Sequence, residues 1–433
     1  MTECEDCKPL RLQLEVSLKK IAELEARLAV YENAHTPSSQ TRFKPQTKND
    51  EHSNKPGRPV GHEGTTRKMP APDKTVVALK EKCDDCGLQL GEPAGFVTRV
   101  IEEIPLPQKA VVTEFKLGFY VCECGKHNLA THRDCPEEGV FGYRAMAQVA
   151  LLKYVGRMPC KLVCDALERD YGLRITPATV LAINSRVSDA FEARYKATVK
   201  RVRGASVVYA DETGLRVAGV NYWLWIFVTD SEVLVVIRQS RAIKVLREVL
   251  GKKFAGIIVC DGHKSYSNFT QRIQRCWAHL LREAKHASEK TVEATQLYET
   301  LCKLFEKLTE ALTKNHSFDE RKRLRRNARQ TLLRLCRLKW KNKHALKAVT
   351  YLRNGLKHWL TFVIEDGVEP TNNRAERALR EHVVLRKIIG GLRNQRGARS
   401  HEVITTILAT WKQRDPEKQS DVREHLANAI RRS

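Results

Sequence analysis

The chain of 433 residues carries 76 Lys and Arg against 51 Asp and Glu, a formal charge of +25, and its pI is near 9.6. That length is too great for one compact core and predicts two or more domains, while the charge points to a polyanionic partner, most simply nucleic acid. No segment is long and apolar enough to span a bilayer and the amino terminus lacks an apolar signal region, which excludes a membrane protein and predicts an intracellular one. In a reducing compartment the 13 cysteines argue for metal ligands or buried thiols, not a disulfide framework.

In chain order, residues 8–32 place Leu10, Leu14, Ser17, Ile21, Leu24, Leu28 and Tyr31 at alternating steps of four and three. This heptad seam predicts a coiled-coil helix and self-association, although it is short and contains a serine, so a plain amphipathic helix also fits. Residues 33–75 lose apolar content, gain Pro, Ser, Gly, Lys and Arg, and read as a flexible basic linker. Residues 76–136 then pair cysteines twice, as Cys83-x-x-Cys86-Gly87 and Cys122-x-Cys124-Gly125. Two tight cysteine turns separated by a hairpin's length of chain predict a zinc ribbon, in which four thiolates hold structural Zn²⁺. The second pair is tighter than usual, so His127 or Cys135 can replace one sulfur; the alternative is cysteines buried as small hydrophobes. Cys4 and Cys7 have no second pair nearby.

Residues 140–200 read as helical. Tyr171-Gly172-Leu173-Arg174-Ile175 breaks the pattern, and Thr176-Pro177 supplies an N-cap and a first-turn proline. Two short helices around this turn resemble a helix-turn-helix for DNA, a pattern shared with ordinary helical hairpins. From residue 204 the chain becomes strand-rich, with runs at Ser206 to Ala210, Leu215 to Ala218 and Tyr222 to Thr229, a helix around Ala242 to Leu250, and a strand ending at Asp261. That order predicts a multidomain α/β protein with a ribonuclease-H-like core, in two parts at 204–283 and 366–415. Residues 284–365 form a helical insertion between them, with a basic stretch from Arg321 to Arg329, and 416–433 form a basic tail.

Three acids stand out. Asp211 and Asp261 each close an apolar, β-branched run, and Glu376 lies on a helix in Asn372-Asn373-Arg374-Ala375-Glu376-Arg377. Singly, each has a plainer explanation: a hairpin turn, an Asp-Gly turn and a capping-box partner. Together, carboxylates from neighbouring strand ends and a covering helix suit a pair of hard cations such as Mg²⁺, as in a nuclease or strand-transfer site. Around the glutamate, Arg374, Arg377, Arg380, Arg386 and Lys387 predict contacts to DNA phosphates, with Glu376–Arg380 ion pairing as the structural alternative.

These motifs resemble those of transposases of the insertion sequence 66 family. The matching stretches are Tyr209-Ala210-Asp211-Glu212-Thr213, Tyr222-Trp223-Leu224-Trp225, and Cys260-Asp261-Gly262-His263-Lys264-Ser265-Tyr266. They continue with Cys276-Trp277-Ala278-His279-Leu280-Leu281-Arg282 and with Glu369 to Arg380; the leucine-rich helix, the linker segment Gly57 to Gly64 and the cysteine pairs agree. The resemblance implies that Asp211, Asp261 and Glu376 bind two Mg²⁺ ions, with Mn²⁺ as the alternative ion. It implies metal-dependent 3′-end cleavage and strand transfer at the element's terminal inverted repeats. Cys276 and His279 match a Cys-x-x-His element, otherwise readable as a buried structural pair. Element ends and target DNA are the implied partners, together with further copies of the chain and any accessory proteins of the element, in a prokaryotic cytoplasm at the nucleoid. A catalytically inactive DNA-binding derivative and a nuclease without strand transfer are the competing expectations.

Overall fold

The computed structural model describes residues 17, 18, 20–22, 71–103, 106–314, 316–415 and 422–432. Ser17, Leu18, Lys20, Ile21 and Ala22 are helical; the rest of the heptad seam, most of the linker, and Cys4 and Cys7 lie outside the described residues. The chain divides into two compact units, one spanning 43–109 and a larger one comprising 1–42 and 110–433.

Cys83 and Cys86 belong to the smaller unit. There the Cys83 N–H donates to Leu88 O at 2.9 Å and the Gly87 N–H to Cys83 O at 3.1 Å, closing a tight turn. Gly87 sits at φ 72°, a left-handed conformation that glycine adopts without strain. A similar turn in the larger unit joins β1 (Phe119–Val121) to β2 (His127–Leu129), with the Gly125 N–H donating to Cys122 O at 2.8 Å. In both turns backbone N–H groups approach the first sulfur and lower the thiol pKa of Cys83 and of Cys122.

The helical part of the larger unit opens with α1 (Tyr143–Ala150), which runs into one π-helical stretch at Leu151–Val155. Helix α2 (Cys160–Tyr171) stops at Gly172, φ 64°, and α3 (Pro177–Arg203) starts where Thr176 Oγ1 accepts from the Thr179 N–H at 3.2 Å. The break falls where the residues predict it, but α3 is not short. It runs for 27 residues because Val180, Ile183, Val187, Phe191, Tyr195 and Val202 keep a buried stripe in register to its end.

Five strands form one sheet in the order β5-β4-β3-β6-β7: β3 (Val207–Val217), β4 (Val220–Val228), β5 (Val233–Arg238), β6 (Ile257–Cys260) and β7 (Ile273–Arg275). The first three are antiparallel neighbours, whereas β6 and β7 run parallel to β3. The expected strands at Ser206 to Ala210 and Leu215 to Ala218 are one continuous strand. Its ladder with β4 runs unbroken from Tyr209↔Val228 to Val217↔Val220, so every residue of Asp211-Glu212-Thr213-Gly214 is paired. The hairpin turn is instead Ala218-Gly219, both at positive φ (51° and 78°), the two-residue geometry that matches strand twist. Asp211 therefore lies within a strand, not at its end.

Each face of the sheet is covered. On one side pack α1, α2, α3, α4 (Ile243–Leu250), α5 (Lys264–Phe269), α11 (Gln395–Arg414) and α12 (Val422–Arg431). The other side receives α6 (Trp277–Ser288), α7 (Thr295–Leu312), α8 (Phe318–Arg337), α9 (Lys343–Asn354) and α10 (Asn373–Ile389). Within the stretch expected as a basic tail, α12 buries Leu426, Ala427, Ala429 and Ile430. Helix α11 also closes the sheet's free edge. Its Thr410 and Thr406 hydroxyls and Glu402 carboxylate, one turn apart, accept from the Val233, Val235 and Ile237 N–H groups at 3.1, 2.9 and 2.8 Å. An edge strand so occupied offers no ladder to another chain. No described helix is long and apolar enough to cross a membrane.

Candidate active site

Alternation along β3 sends Asp211 to the face shared with Tyr209 and Leu215, and Glu212 to the opposite face. Asp261 follows directly on β6, the parallel neighbour of β3, and its Oδ1 accepts from the His263 N–H at 2.9 Å. Gly262 lets Arg275 approach closely there: a Cβ would lie 2.0 Å from Arg275 Nη2, so a larger residue would displace that side chain. Glu376 occupies the first turn of α10, which packs across β3.

Burial and neighbouring acids act on Asp211. The Asp211 carboxyl is held well above the usual carboxylate range, by burial first and then by the charges of Glu212, Asp261 and Glu376. Oε1 of Glu376 is buried without a hydrogen-bond partner and lies 3.5 Å from His279 Nδ1. Carboxylate oxygens are the donor type that hard divalent cations favour, and Glu376 Oε1, without a hydrogen-bond partner, leaves one such oxygen open to an ion. Asp211, Asp261 and Glu376 do not all bring ligand oxygens within 4.8 Å of one another. Among the described residues, the group of three whose ligand atoms all lie within 4.8 Å of one another is Cys276, His279 and Glu376.

A raised carboxyl pKa has a signed consequence for stability. The folded chain keeps the Asp211 proton after the unfolded chain has lost its own near pH ~3.9. Stability from this group is therefore complete below that pH and is lost as pH rises toward the folded value. Asp211→Asn removes the loss, so without divalent ions its Tm should exceed that of the wild type by a margin that grows as pH rises above about 4. A margin that is flat across this range would contradict the crowding of the acids.

Residues 138–400 match the model of the family described as "Transposase IS66 family", well over half of the chain. The chain belongs to that family. A relative in Sinorhizobium fredii (strain NBRC 101917 / NGR234), "Uncharacterized protein y4qI", is 24% identical over 314 residues, which cover 64% of this chain and 57% of the relative. The chain thus spans little more than half the length of that relative.

In this IS66-family chain a set of backbone ties, invisible to motif reading, joins the three acid-bearing segments. Fully buried Asn372, at the N-cap of α10, donates through Nδ2 to Ala210 O at 2.9 Å, beside Asp211. Its own N–H donates to Cys276 Sγ at 3.2 Å, and the Cys276 N–H donates to Cys260 O at 2.9 Å, beside Asp261. Asn372→Ala leaves the Ala210 carbonyl short of a buried donor, at a cost of about 1–3 kcal/mol. As a positioning residue, its loss should also slow catalysis by about 10–100-fold and raise the divalent-ion concentration needed for half-activity. Equal ion requirements in variant and wild type would reduce it to a stability role.

Glu212, on the other face, is buried between Arg241 Nε at 2.7 Å and the Tyr266 hydroxyl, and Arg241 lies over the Trp223 ring. Burial and the Asp261 charge raise its pKa, while Arg241 opposes them. The basic residues divide into two kinds. Arg377, Arg380 and Lys387 are exposed on α10. Arg374 instead pairs with Glu369 and Asp230 and covers the Tyr209 ring, and Arg386 donates to Thr213 Oγ1 at 3.1 Å and to Gly214 O, tying α10 to β3.

Proposed function

We propose that the chain is an active DNA transposase with a ribonuclease-H-like catalytic core and an Asp-Asp-Glu centre formed by Asp211, Asp261 and Glu376. The observation that carries this reading is the placement of Asp211 on β3, of Asp261 directly after the parallel neighbour β6, and of Glu376 on the helix that packs across β3. The sheet order, three antiparallel strands followed by two parallel ones, supports the ribonuclease-H-like assignment.

The three acids would hold two Mg²⁺ ions, with Mn²⁺ as the alternative. Such ions, when bound, neutralise developing charge and assist both the attacking and the leaving oxygen of an in-line displacement. The chain's own residues supply alignment. Asn372 and Cys276 fix the backbones that carry the acids, and exposed Arg377, Arg380 and Lys387 hold DNA phosphates without reading sequence. Water attacks the phosphodiester at the element end, and the freed 3′-hydroxyl then attacks target DNA. Binding of the terminal inverted repeats falls to the helical domain around α2 and α3 and to the cysteine turns. The Cys83 and Cys122 thiols, whose pKa backbone N–H groups lower, suit structural Zn²⁺. Function as an oligomer in the prokaryotic cytoplasm completes this reading.

Strand transfer with pre-cut element ends tests it. Joining of the supplied 3′-hydroxyl to target DNA in Mg²⁺, and none in EDTA, is expected. Hydrolytic nicking without joined product would leave a nuclease in its place.

A further inference from the structure

Cys276, His279 and Glu376 bring one sulfur, one imidazole nitrogen and one carboxylate oxygen within 4.8 Å of one another. The first two lie one turn apart at the start of α6, with Cys276 as its N-cap, and the third lies on the first turn of α10. Cys276 is 1% exposed, whereas the His279 and Glu376 side chains are 15% and 31% exposed, so the cluster is shielded at its sulfur and open at its other two ligands. Magnesium does not select such a set: it takes oxygen ligands and keeps its waters. Thiolate plus imidazole plus carboxylate is the donor mixture of a borderline ion, and three protein ligands with an open fourth position is a recurrent zinc arrangement.

We propose that Cys276, His279 and Glu376 form a binding site for one borderline divalent ion of the zinc class, and that its occupation withdraws Glu376 from the acidic centre and switches that centre off. Binding breaks the Cys276 S–H bond, sends the proton to solvent and forms a sulfur–metal bond from the freed lone pair, with no change of oxidation state. The Asn372 N–H already directed at this sulfur stabilises the thiolate that results. Because a borderline ion gains from sulfur and nitrogen ligands, it competes with Mg²⁺ for Glu376 at far lower concentration. The binding site stands on the side chains alone; the switch rests on reading the acids as the phosphoryl-transfer centre.

The test uses the full chain and Cd²⁺ as the probe, read by its thiolate charge-transfer absorption and by metal content after dialysis. The thiols of the two cysteine turns are also available to Cd²⁺, so the comparison is between wild type, Cys276→Ser and His279→Gln. His279→Gln keeps every thiol and the Asn372–Cys276 tie, and so serves should Cys276→Ser not fold. Each variant should retain one ion fewer than wild type. Zn²⁺ should inhibit Mg²⁺-dependent cleavage by wild type, and His279→Gln should need at least about 10-fold more Zn²⁺ for the same inhibition. Equal Cd²⁺ content in wild type and His279→Gln would overturn the site. Loss of the ion with unchanged Zn²⁺ sensitivity would overturn the switch. A wild type that never cleaves in Mg²⁺ would instead overturn the transposase reading and leave the Cd²⁺ result to decide the site.

Discussion

Asp261→Asn should lower single-turnover cleavage of an element end by at least about 1,000-fold, equivalent to about 4 kcal/mol of transition-state stabilisation, with end binding within about 3-fold of wild type. The substitution is nearly isosteric, and the amide oxygen can still accept from the His263 N–H that Asp261 Oδ1 accepts at 2.9 Å, so the turn should survive. What it removes is one of the charges that, with those of Glu212 and Glu376, raise the Asp211 pKa. Asp211→Asn and Glu376→Gln should be similarly inactive. Because the three act as a unit, combining them should cost scarcely more than any one alone. Additive losses would indicate acids that work apart.

Trp277→Ala should be the most destabilising single substitution in the site's support, costing about 3–5 kcal/mol. The side chain is fully buried, its Nε1 donates to Trp359 O at 2.6 Å, and its ring stacks on Phe305 at 5.3 Å. Phe305 belongs to α7 and Trp359 follows α9, so this one residue ties the start of α6 to both. Its N–H, bonded to Pro370 O at 2.9 Å, lies next to Cys276 in the ties that join the acid-bearing segments. A lower urea midpoint with little change in slope is expected, with Trp277→Phe much milder. A loss below about 1 kcal/mol would mean that the insertion is held by other contacts.

Much of the architecture is legible in local chemistry. The α2–α3 break rests on Gly172, Thr176 and Pro177, residues whose backbone preferences act at short range, and it falls where they put it. Strand limits around Asp211 depend on something longer-ranged. Asp-Glu-Thr-Gly reads locally as a turn, yet pairing with Leu224, Trp225 and Ile226 on β4 holds it extended, and Ala218-Gly219 makes the turn. The apolar stripe of α3 is visible in its spacing, but its full length follows from the sheet and α11 that it packs against.

At the site, spacing and residue type single out the three acids but carry no information about their supports. Asn372 reads as the first residue of a repeated asparagine; its side chain spans 162 positions to Ala210, a contact that no local pattern encodes. Arg374 and Arg386 look like their exposed neighbours in sequence, and only the helix phase against β3 sets them apart as ion-paired and backbone-bound. Cys276 and His279 announce themselves as a pair, whereas the nearness of Glu376 depends on how α6 and α10 meet.

The most direct measurement is incubation of the full chain with a labelled duplex ending in the element's own inverted repeat, in Mg²⁺ and in EDTA. Nicking at the element's 3′ end followed by joined product, both dependent on Mg²⁺, is the predicted result. Binding without cleavage in any divalent ion, or cleavage that survives EDTA, would contradict a metal-dependent centre built from Asp211, Asp261 and Glu376.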